Sequence, residues 1–156
     1  MYTSPLRRIL LSLCIFTAFF CLTARPVGAQ TFGVRVGASV DPDQFVVGGH
    51  FETKELVDHV TFRPNVEVGL GNDLTVTCFN FELAYHFDYP NGKPWHVYAG
   101  GGPALVLIDG HGNDHTGGGF NLLLGIQSHQ GLFGEVKAGL IDSPDFKIVI
   151  GYAFHH

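Results

Sequence analysis

The sequence predicts an all-β fold in which eight antiparallel strands run up and down around a closed barrel. Apolar and polar side chains alternate in eight separate segments, and a period of two is the pattern of a β-strand with two different faces. Stretches rich in Asp, Gly, Pro, Asn and Ser separate these segments, as turns do. No segment has the period of an amphipathic helix, which favours a meander of neighbouring strands.

Residues 1–29 have the three parts of a secretory signal peptide. Arg7 and Arg8 precede an apolar run from Ile9 to Ala24, and the small tripeptide VGA ends at Ala29. The alternative, a membrane anchor, needs a run of about 20 apolar residues, and this run is short for that length. Cleavage near Ala29 therefore leaves residues 30–156 as a single domain.

The charge and cysteine content of the mature chain exclude several classes of site. Cys14 and Cys21 leave with the signal peptide, so Cys78 alone can form neither an internal disulfide nor a cysteine-based metal site. Loss of three arginines takes the formal net charge from −5 to −8. The basic surface of a nucleic-acid-binding protein is absent, so no nucleic-acid partner is expected. No cofactor is expected either.

Each of the first four segments sets bulky apolar residues against polar ones. FGVRVGASV alternates its valines with Arg35, and QFVVGGHFE sets its aromatic residues against Glu52. TFRPNVEVGLG sets its apolar residues against Arg63 and Glu67, and LTVTCFNFELAYHF sets its phenylalanines against Glu82. These four predicted strands cover residues 32–40, 44–52, 61–71 and 74–87.

The last four segments repeat this pattern. WHVYAGGGPALVLI sets its leucines against His96 and Tyr98, and GGGFNLLLGIQS sets its apolar residues against an asparagine and a glutamine. LFGEVKAGL carries Glu135 and Lys137 on one face, and FKIVIGYAF sets its isoleucines against Lys147. These four predicted strands cover residues 95–108, 117–128, 132–140 and 146–154.

The charged residues of the strands all share the polar face. They are four basic and four acidic side chains: Arg35, Arg63, Lys137, Lys147, Glu52, Glu67, Glu82 and Glu135. The same face is rich in glycine, whereas the apolar face is bulky and aromatic. In a soluble, secreted or periplasmic lipocalin-like barrel, the apolar face would form the interior and bind an apolar small ligand. In an inverted barrel, the apolar face contacts lipid and the charges pair inside.

The inverted barrel is favoured because its interior must be neutral and must have room for long side chains. An unpaired buried charge costs several kcal/mol, and the strand charges balance. Glycines on the same face provide space. Strands of about 9–11 residues also match the length of a tilted membrane-spanning strand. The eight charged residues are therefore predicted to form an interior ion-pair network.

The chain resembles the small eight-stranded outer-membrane β-barrels of the OmpA/OmpX-like superfamily. The resemblance covers the mature chain and is carried by RPNVEVGLG, FNFELAYHF, YAGGGPALVL, LFGEVKAGL and FKIVIGYAF. It implies the bacterial outer membrane, contact with outer-membrane lipid, and the assembly machinery as a transient partner. The chain departs from the family in ending with His155 and His156 after Phe154. Pro64 and Pro103 lack a backbone donor, so a local bulge is expected at each.

The resemblance also implies that both termini lie in the periplasm, so the opposite turns face outward. Those turns carry aspartates and no Lys or Arg: Asp41, Asp43, Asp73, Asp109, Asp114, Asp142 and Asp145. Weak association of divalent cations with this rim is a hypothesis, because carboxylates are hard oxygen ligands. The alternative, solubilising turn residues, is favoured. The loop residues Asp109, His111, Asp114 and His115 are weak metal candidates, and no dedicated metal site is expected.

A structural or surface-interaction role is therefore favoured over a catalytic one. A lipid-modifying outer-membrane enzyme is the least favoured class. Its candidate residues would be Ser128, His129 and Glu135, but Glu135 lies on the predicted interior face while the other two lie in a turn. His50, His86 and His96 fall on the interior face and are predicted to be members of its polar network.

Overall fold

The computed structural model describes residues 31–72, 74–88, 93–110 and 115–155. The predicted signal peptide and its cleavage site lie outside these residues. Eight β-strands form, and their bounds are within three residues of the predicted ones. They are β1 (Thr31–Val40), β2 (Gln44–Glu52), β3 (Val60–Leu70), β4 (Leu74–His86), β5 (Trp95–Gly110), β6 (His115–Ser128), β7 (Leu132–Ile141) and β8 (Phe146–His155).

The strands form one closed barrel. Each strand pairs antiparallel with the next, and β8 pairs with β1, so no strand is left as an edge. Closure places Thr31 opposite His155. We call this end of the barrel the terminal mouth, and the end where residues 41–43, 71–72 and 142–145 lie the opposite mouth. The predicted eight-stranded antiparallel barrel is confirmed.

The two prolines do not produce the expected bulges, so that expectation was wrong. Pro64 pairs with Phe81 inside an unshifted β3–β4 ladder. On the other side of Pro64, the pairing of β2 with β3 runs as far as His50 and Asn65. Beyond the proline, the backbone amide of Thr53 donates to the Phe62 carbonyl, which keeps the same register. The β4–β5 ladder likewise keeps its register past Pro103. Each proline interrupts a ladder locally because it lacks a donor, and no extra residue is inserted.

The apolar face of the sheet lies outside the barrel. Val66 and Phe81 are 40% and 49% exposed, whereas Arg63 and Glu67 are 0% and 1% exposed. This arrangement is the reverse of the lipocalin-like alternative, which required the apolar face inside and is therefore wrong. The physical reason is volume: the eight strands enclose glycines and long polar side chains, and the bulky residues project outward.

An apolar layer closes the interior towards the opposite mouth. Val76, Cys78 and Val106 pack together there with Ala104. The β7–β8 turn folds inward above them, with Ser143 and Pro144 buried. The prediction of a polar interior therefore holds for the middle of the barrel and the terminal mouth, whereas towards the opposite mouth an apolar cluster lies beside the buried polar residues Ser39 and Gln44. No helix among the described residues is long and apolar enough to span a membrane.

Candidate functional site

Glu67 lies at the centre of a buried ion-pair network. Its Oε1 accepts hydrogen bonds from Arg35 Nη1 at 2.9 Å and from Lys137 Nζ at 2.8 Å, and its Oε2 accepts one from Lys147 Nζ at 2.7 Å. All four side chains are buried. They come from β1, β3, β7 and β8, so the network ties together strands that are far apart in the sequence.

Glu135 is the second acidic centre. Its two oxygens accept from Arg35 Nη1 at 3.1 Å and from Arg63 Nη1 at 3.2 Å, and the hydroxyl of Tyr98 donates to it at 2.8 Å. Arg63 also lies 3.4 Å from Glu52, through Nε and Oε2. Arg35 and Arg63 therefore link the two acidic centres and continue the network towards the terminal mouth.

Glu82 joins the network through Lys137 and a ladder of asparagines. Lys137 Nζ donates to Glu82 Oε1 at 2.7 Å, and Asn65 Nδ2 donates to Glu82 Oε2 at 2.6 Å. Asn80 donates in turn to Asn65, and Asn121 donates to Asn80, both at 2.7 Å. These amides cross β3, β4 and β6. They supply the additional hydrogen bonds that buried charges need if burial is not to be strongly unfavourable.

Glycines give the interior side chains their space. A Cβ at Gly33 would overlap the ring of His50, and one at Gly125 would overlap the ring of Tyr98. The aromatic rings then cover the faces of the guanidinium groups. Arg63 lies 4.5 Å from the centroid of the Tyr98 ring, which is within cation–π range.

All eight residues predicted for the network point into the barrel and are less than 10% exposed. Seven of them form one connected set of ion pairs around Arg35, Glu67 and Lys137, and Glu52 joins it through Arg63. The asparagine ladder was not predicted from the sequence, although its members lie on the polar faces of their strands. The role of Phe133 was not predicted either; the centroid of its ring lies 5.5 Å from Cζ of Arg35. The sequence did carry a signal for Phe133, because this aromatic residue shares a face of its strand with Glu135 and Lys137.

The terminal mouth contains an open cleft of about 340 Å³, which we call the terminal cleft. At its floor His86 Nε2 lies 2.9 Å from Glu52 Oε1, and His86 Nδ1 lies 2.9 Å from His96 Nε2. Thr61 Oγ1 donates to the same Glu52 oxygen at 2.9 Å. The described lining is formed by Thr31, Glu52, Thr53, Glu55, His59, Thr61, His86, Phe87, Asp88, His96 and Gln127. The buried network therefore reaches solvent through Glu52.

Of the four residues considered for metal binding, the structure describes two. Asp109 and His115 lie near the β5–β6 turn, and strand alternation directs them to opposite faces of the sheet. His111 and Asp114 lie outside the described residues. Within the described part of the chain, no group of three or more His, Cys, Asp or Glu side chains is arranged to hold a metal ion.

The residues considered for lipid modification are also separated. Glu135 pairs with Gly125 across the β6–β7 ladder, whereas Ser128 ends β6 three residues further on. Three residues of strand span about 10 Å, well beyond hydrogen-bond reach. The Ser128 hydroxyl instead accepts a bond from the Gln130 amide at 3.2 Å, while Glu135 is paired with Arg35 and Arg63. Ser128 and Glu135 are therefore not within hydrogen-bond reach of each other, as two members of one catalytic group would be.

Three solved structures are similar to the barrel. The N-terminal β-barrel domain of Pseudomonas aeruginosa OprF has a TM-score of 0.62 and 14% identity, with coverage of 81% of this chain and 98% of that one. Neisserial surface protein A has a TM-score of 0.57 and 13% identity, with coverage of 82% and 95%. The de novo designed protein TMB2.3 has a TM-score of 0.53 and 12% identity, with coverage of 82% and 94%.

No family model matches the chain, and no curated protein sequence matches it. At 12–14% identity, the likeness to solved structures establishes the architecture alone. The order of the strands and the closed sheet agree with the architecture that the sequence predicts. The chain thus has the fold of the small eight-stranded outer-membrane β-barrels.

Proposed function

We propose that the chain spans a bacterial outer membrane and has a structural or surface-interaction role there, without catalysis. The single observation that carries the proposal is the inverted distribution of side chains, with ion pairs inside and an apolar belt outside. Monomeric soluble proteins rarely expose contiguous apolar patches larger than a few hundred Å². Here exposed apolar side chains follow every strand around the barrel.

At the terminal mouth, the end of the belt has the composition expected of a membrane interface. Two pairs of aromatic rings lie there, Tyr85 with Phe87 and Tyr152 with Phe154. In each pair the ring centroids are 5.1 Å apart. Trp95 lies at the same end, at the start of β5. Aromatic residues at the headgroup level are typical of transmembrane barrels. Outer-membrane lipid is therefore the proposed partner of the belt, and the assembly machinery is the proposed partner during insertion.

The packed interior argues for a role other than bulk transport. Arg35, Arg63, Lys137, Glu67 and Glu82 fill the middle of the barrel and are each at most 1% exposed. An eight-stranded barrel has space for side chains and not for a wide aqueous pore. The turn at 142–145 adds a cover at the opposite mouth. We therefore favour a role carried by the surface of the barrel and its loops.

A matched pair of arginine substitutions tests the membrane proposal. Leu124 pairs with Val136 in the middle of β7 and is 52% exposed, whereas Val57 lies in the β2–β3 loop and is 70% exposed. In lipid, Leu124→Arg should cost about 2–4 kcal/mol of folding free energy, because the charge lies near the midplane. Val57→Arg should cost little. Urea titration in lipid vesicles, read from heat-dependent gel mobility, measures both.

A soluble barrel would give a different result. Both positions would then face water, so both substitutions would change the free energy of unfolding by no more than about 0.5 kcal/mol. Fractionation of cells expressing the full chain gives a second readout. Recovery of the wild-type protein in the soluble periplasmic fraction would contradict the proposal.

A further inference from the structure

We propose that a groove on the outer face of β2 and β3 binds an acyl chain of membrane lipid that carries a hydroxyl group near its headgroup. The groove has a volume of about 390 Å³, and we call it the Gly49 groove after the residue at its centre. The proposal rests on the membrane location proposed above. It adds the kind of lipid chain that one place on the apolar belt would select.

The sheet backbone is uncovered in the Gly49 groove. Gly49 lies on the outward face of β2, where it pairs with Val34 on one side and Val66 on the other. A Cβ at Gly49 would meet no atom nearer than 3.5 Å, so the space above it is open. His50 and Asn65 also line the groove, although their side chains are buried inside the barrel. The groove therefore reaches the backbone of both strands.

The walls of the groove are apolar and largely aromatic. They are formed by outward-facing side chains, namely Phe32, Phe51, Phe79, Phe81 and Val66. The described lining contains no Asp, Glu, Lys or Arg. An ion or a charged headgroup would find no partner here, whereas an apolar chain would be in contact with side chains on both sides.

The floor of the groove contains a backbone carbonyl without its ladder donor. The amide of Thr53 donates to the Phe62 carbonyl at 3.0 Å, so these residues form a hydrogen-bonded pair. Such pairs recur at every second residue of an antiparallel ladder, and the next one is Phe51 with Pro64. Proline has no N–H group, so the Phe51 carbonyl points towards β3 and receives no bond from it.

This carbonyl favours an occupant that brings a hydrogen-bond donor. A backbone carbonyl without a donor is strongly unfavourable in lipid, because no water replaces the missing bond. Phe51 is the last residue but one of β2, close to the terminal mouth. A hydroxyl near the headgroup would therefore reach it while the chain runs over Gly49 towards the middle of the barrel. A second barrel fits less well, since its convex surface cannot reach the floor.

Native mass spectrometry of the mature chain, folded in a non-ionic detergent, tests the groove with two neutral probes. Methyl β-hydroxymyristate and methyl myristate differ by one oxygen atom, so both adducts are resolved in one spectrum. The wild-type protein should bind one ester saturably. It should prefer the hydroxylated ester about fivefold, the ratio that one net hydrogen bond provides.

Two variants separate the apolar walls from the carbonyl. Gly49→Leu fills the groove and should abolish binding of both esters. Pro64→Val restores an N–H donor opposite Phe51, so methyl myristate should still bind while the preference for the hydroxylated ester is lost. Gly134→Leu is the control for bulk, because Gly134 is another outward glycine with no atom near its Cβ position. Pro103→Val, outside the groove, is the control for the proline. Both controls should behave as wild type.

Several outcomes would overturn the proposal. They are no saturable adduct, equal binding of the two esters by wild type, a preference that survives in Pro64→Val, or an equal loss in Gly134→Leu. A dimer that Gly49→Leu abolishes would mean that a second barrel occupies the groove. If Gly49→Leu fails to fold, Pro64→Val carries the test, because it adds no bulk to the groove. The test is made in detergent, so its failure is distinguishable from failure of the membrane proposal, which Leu124→Arg addresses.

Discussion

Removal of the Glu67 carboxylate should be one of the most destabilising changes in the barrel. In Glu67→Gln, Arg35 keeps its bond to Glu135, and Lys137 keeps its bond to Glu82. Lys147 loses its one carboxylate partner among the described residues. The variant therefore leaves one buried, unpaired ammonium group, and breaking a buried pair in this way costs about 3–5 kcal/mol.

Equilibrium unfolding in urea measures this cost in detergent or lipid. Trp95 is the single tryptophan, so its fluorescence reports unfolding, and heat-dependent gel mobility gives a second readout. Lys147→Met in the Glu67→Gln background removes the unpaired charge and restores neutrality. This double variant should regain at least half of the lost free energy. Glu55→Gln, in an exposed loop, is the control and should show no measurable loss.

Two results would refute the reasoning about Glu67. A loss below about 0.5 kcal/mol, the scale of ordinary surface substitutions, would mean that the carboxylate is not holding buried charges. A double variant no more stable than Glu67→Gln would mean that the cost does not come from an unpaired Lys147. In that case the loss of stability would come from altered side-chain packing around residue 67.

Two further predictions concern space and access within the barrel. Gly125→Ala should lower the free energy of unfolding by about 1–3 kcal/mol, because a methyl group would overlap the ring of Tyr98 in a packed interior. Gly118→Ala, in the same strand, is the control: its methyl group would meet no atom within 4 Å, so its effect should be close to zero. Urea titration measures both variants. Cys78 is 3% exposed, so a maleimide should label it much more slowly in the folded barrel than in urea. The thiol of a Val57→Cys variant should react quickly in both conditions, because Val57 is 70% exposed. Equal labelling rates for the two thiols in the folded barrel would contradict the interior placement of Cys78.

The sequence predicted which face each side chain takes, because strand alternation has a fixed period of two. Arg63 and Glu67 share a phase, and that phase is the interior one once the bulky face is assigned to the outside. The eight strands were found for the same reason, since polar turns mark where each alternation ends. This reasoning needs no knowledge of which strands are neighbours across the barrel.

The partners within the network could not be predicted, because they depend on how the closed sheet is staggered. Arg35 and Glu135 are 100 residues apart and meet only across the lumen. The asparagine ladder and the ring of Phe133 were missed for the same reason, since their roles come from groups on distant strands. The apolar layer around Val106 was missed because valine on the polar phase of β5 was taken as part of an ordinary alternation.

The position of Arg35 on β1 and Lys147 on β8, the first and last strands, has a consequence for assembly. Arg35 on β1 bonds to Glu135 on β7, and Lys147 on β8 bonds to Glu67 on β3, so a sheet that is still open between β1 and β8 does not hold these two pairs together. Before β1 meets β8, these ionic groups remain in water, and dehydrating them singly is strongly unfavourable. Pairing of β1 with β8 and formation of the interior ion pairs should therefore occur together. No intermediate with only one of the two complete should be populated.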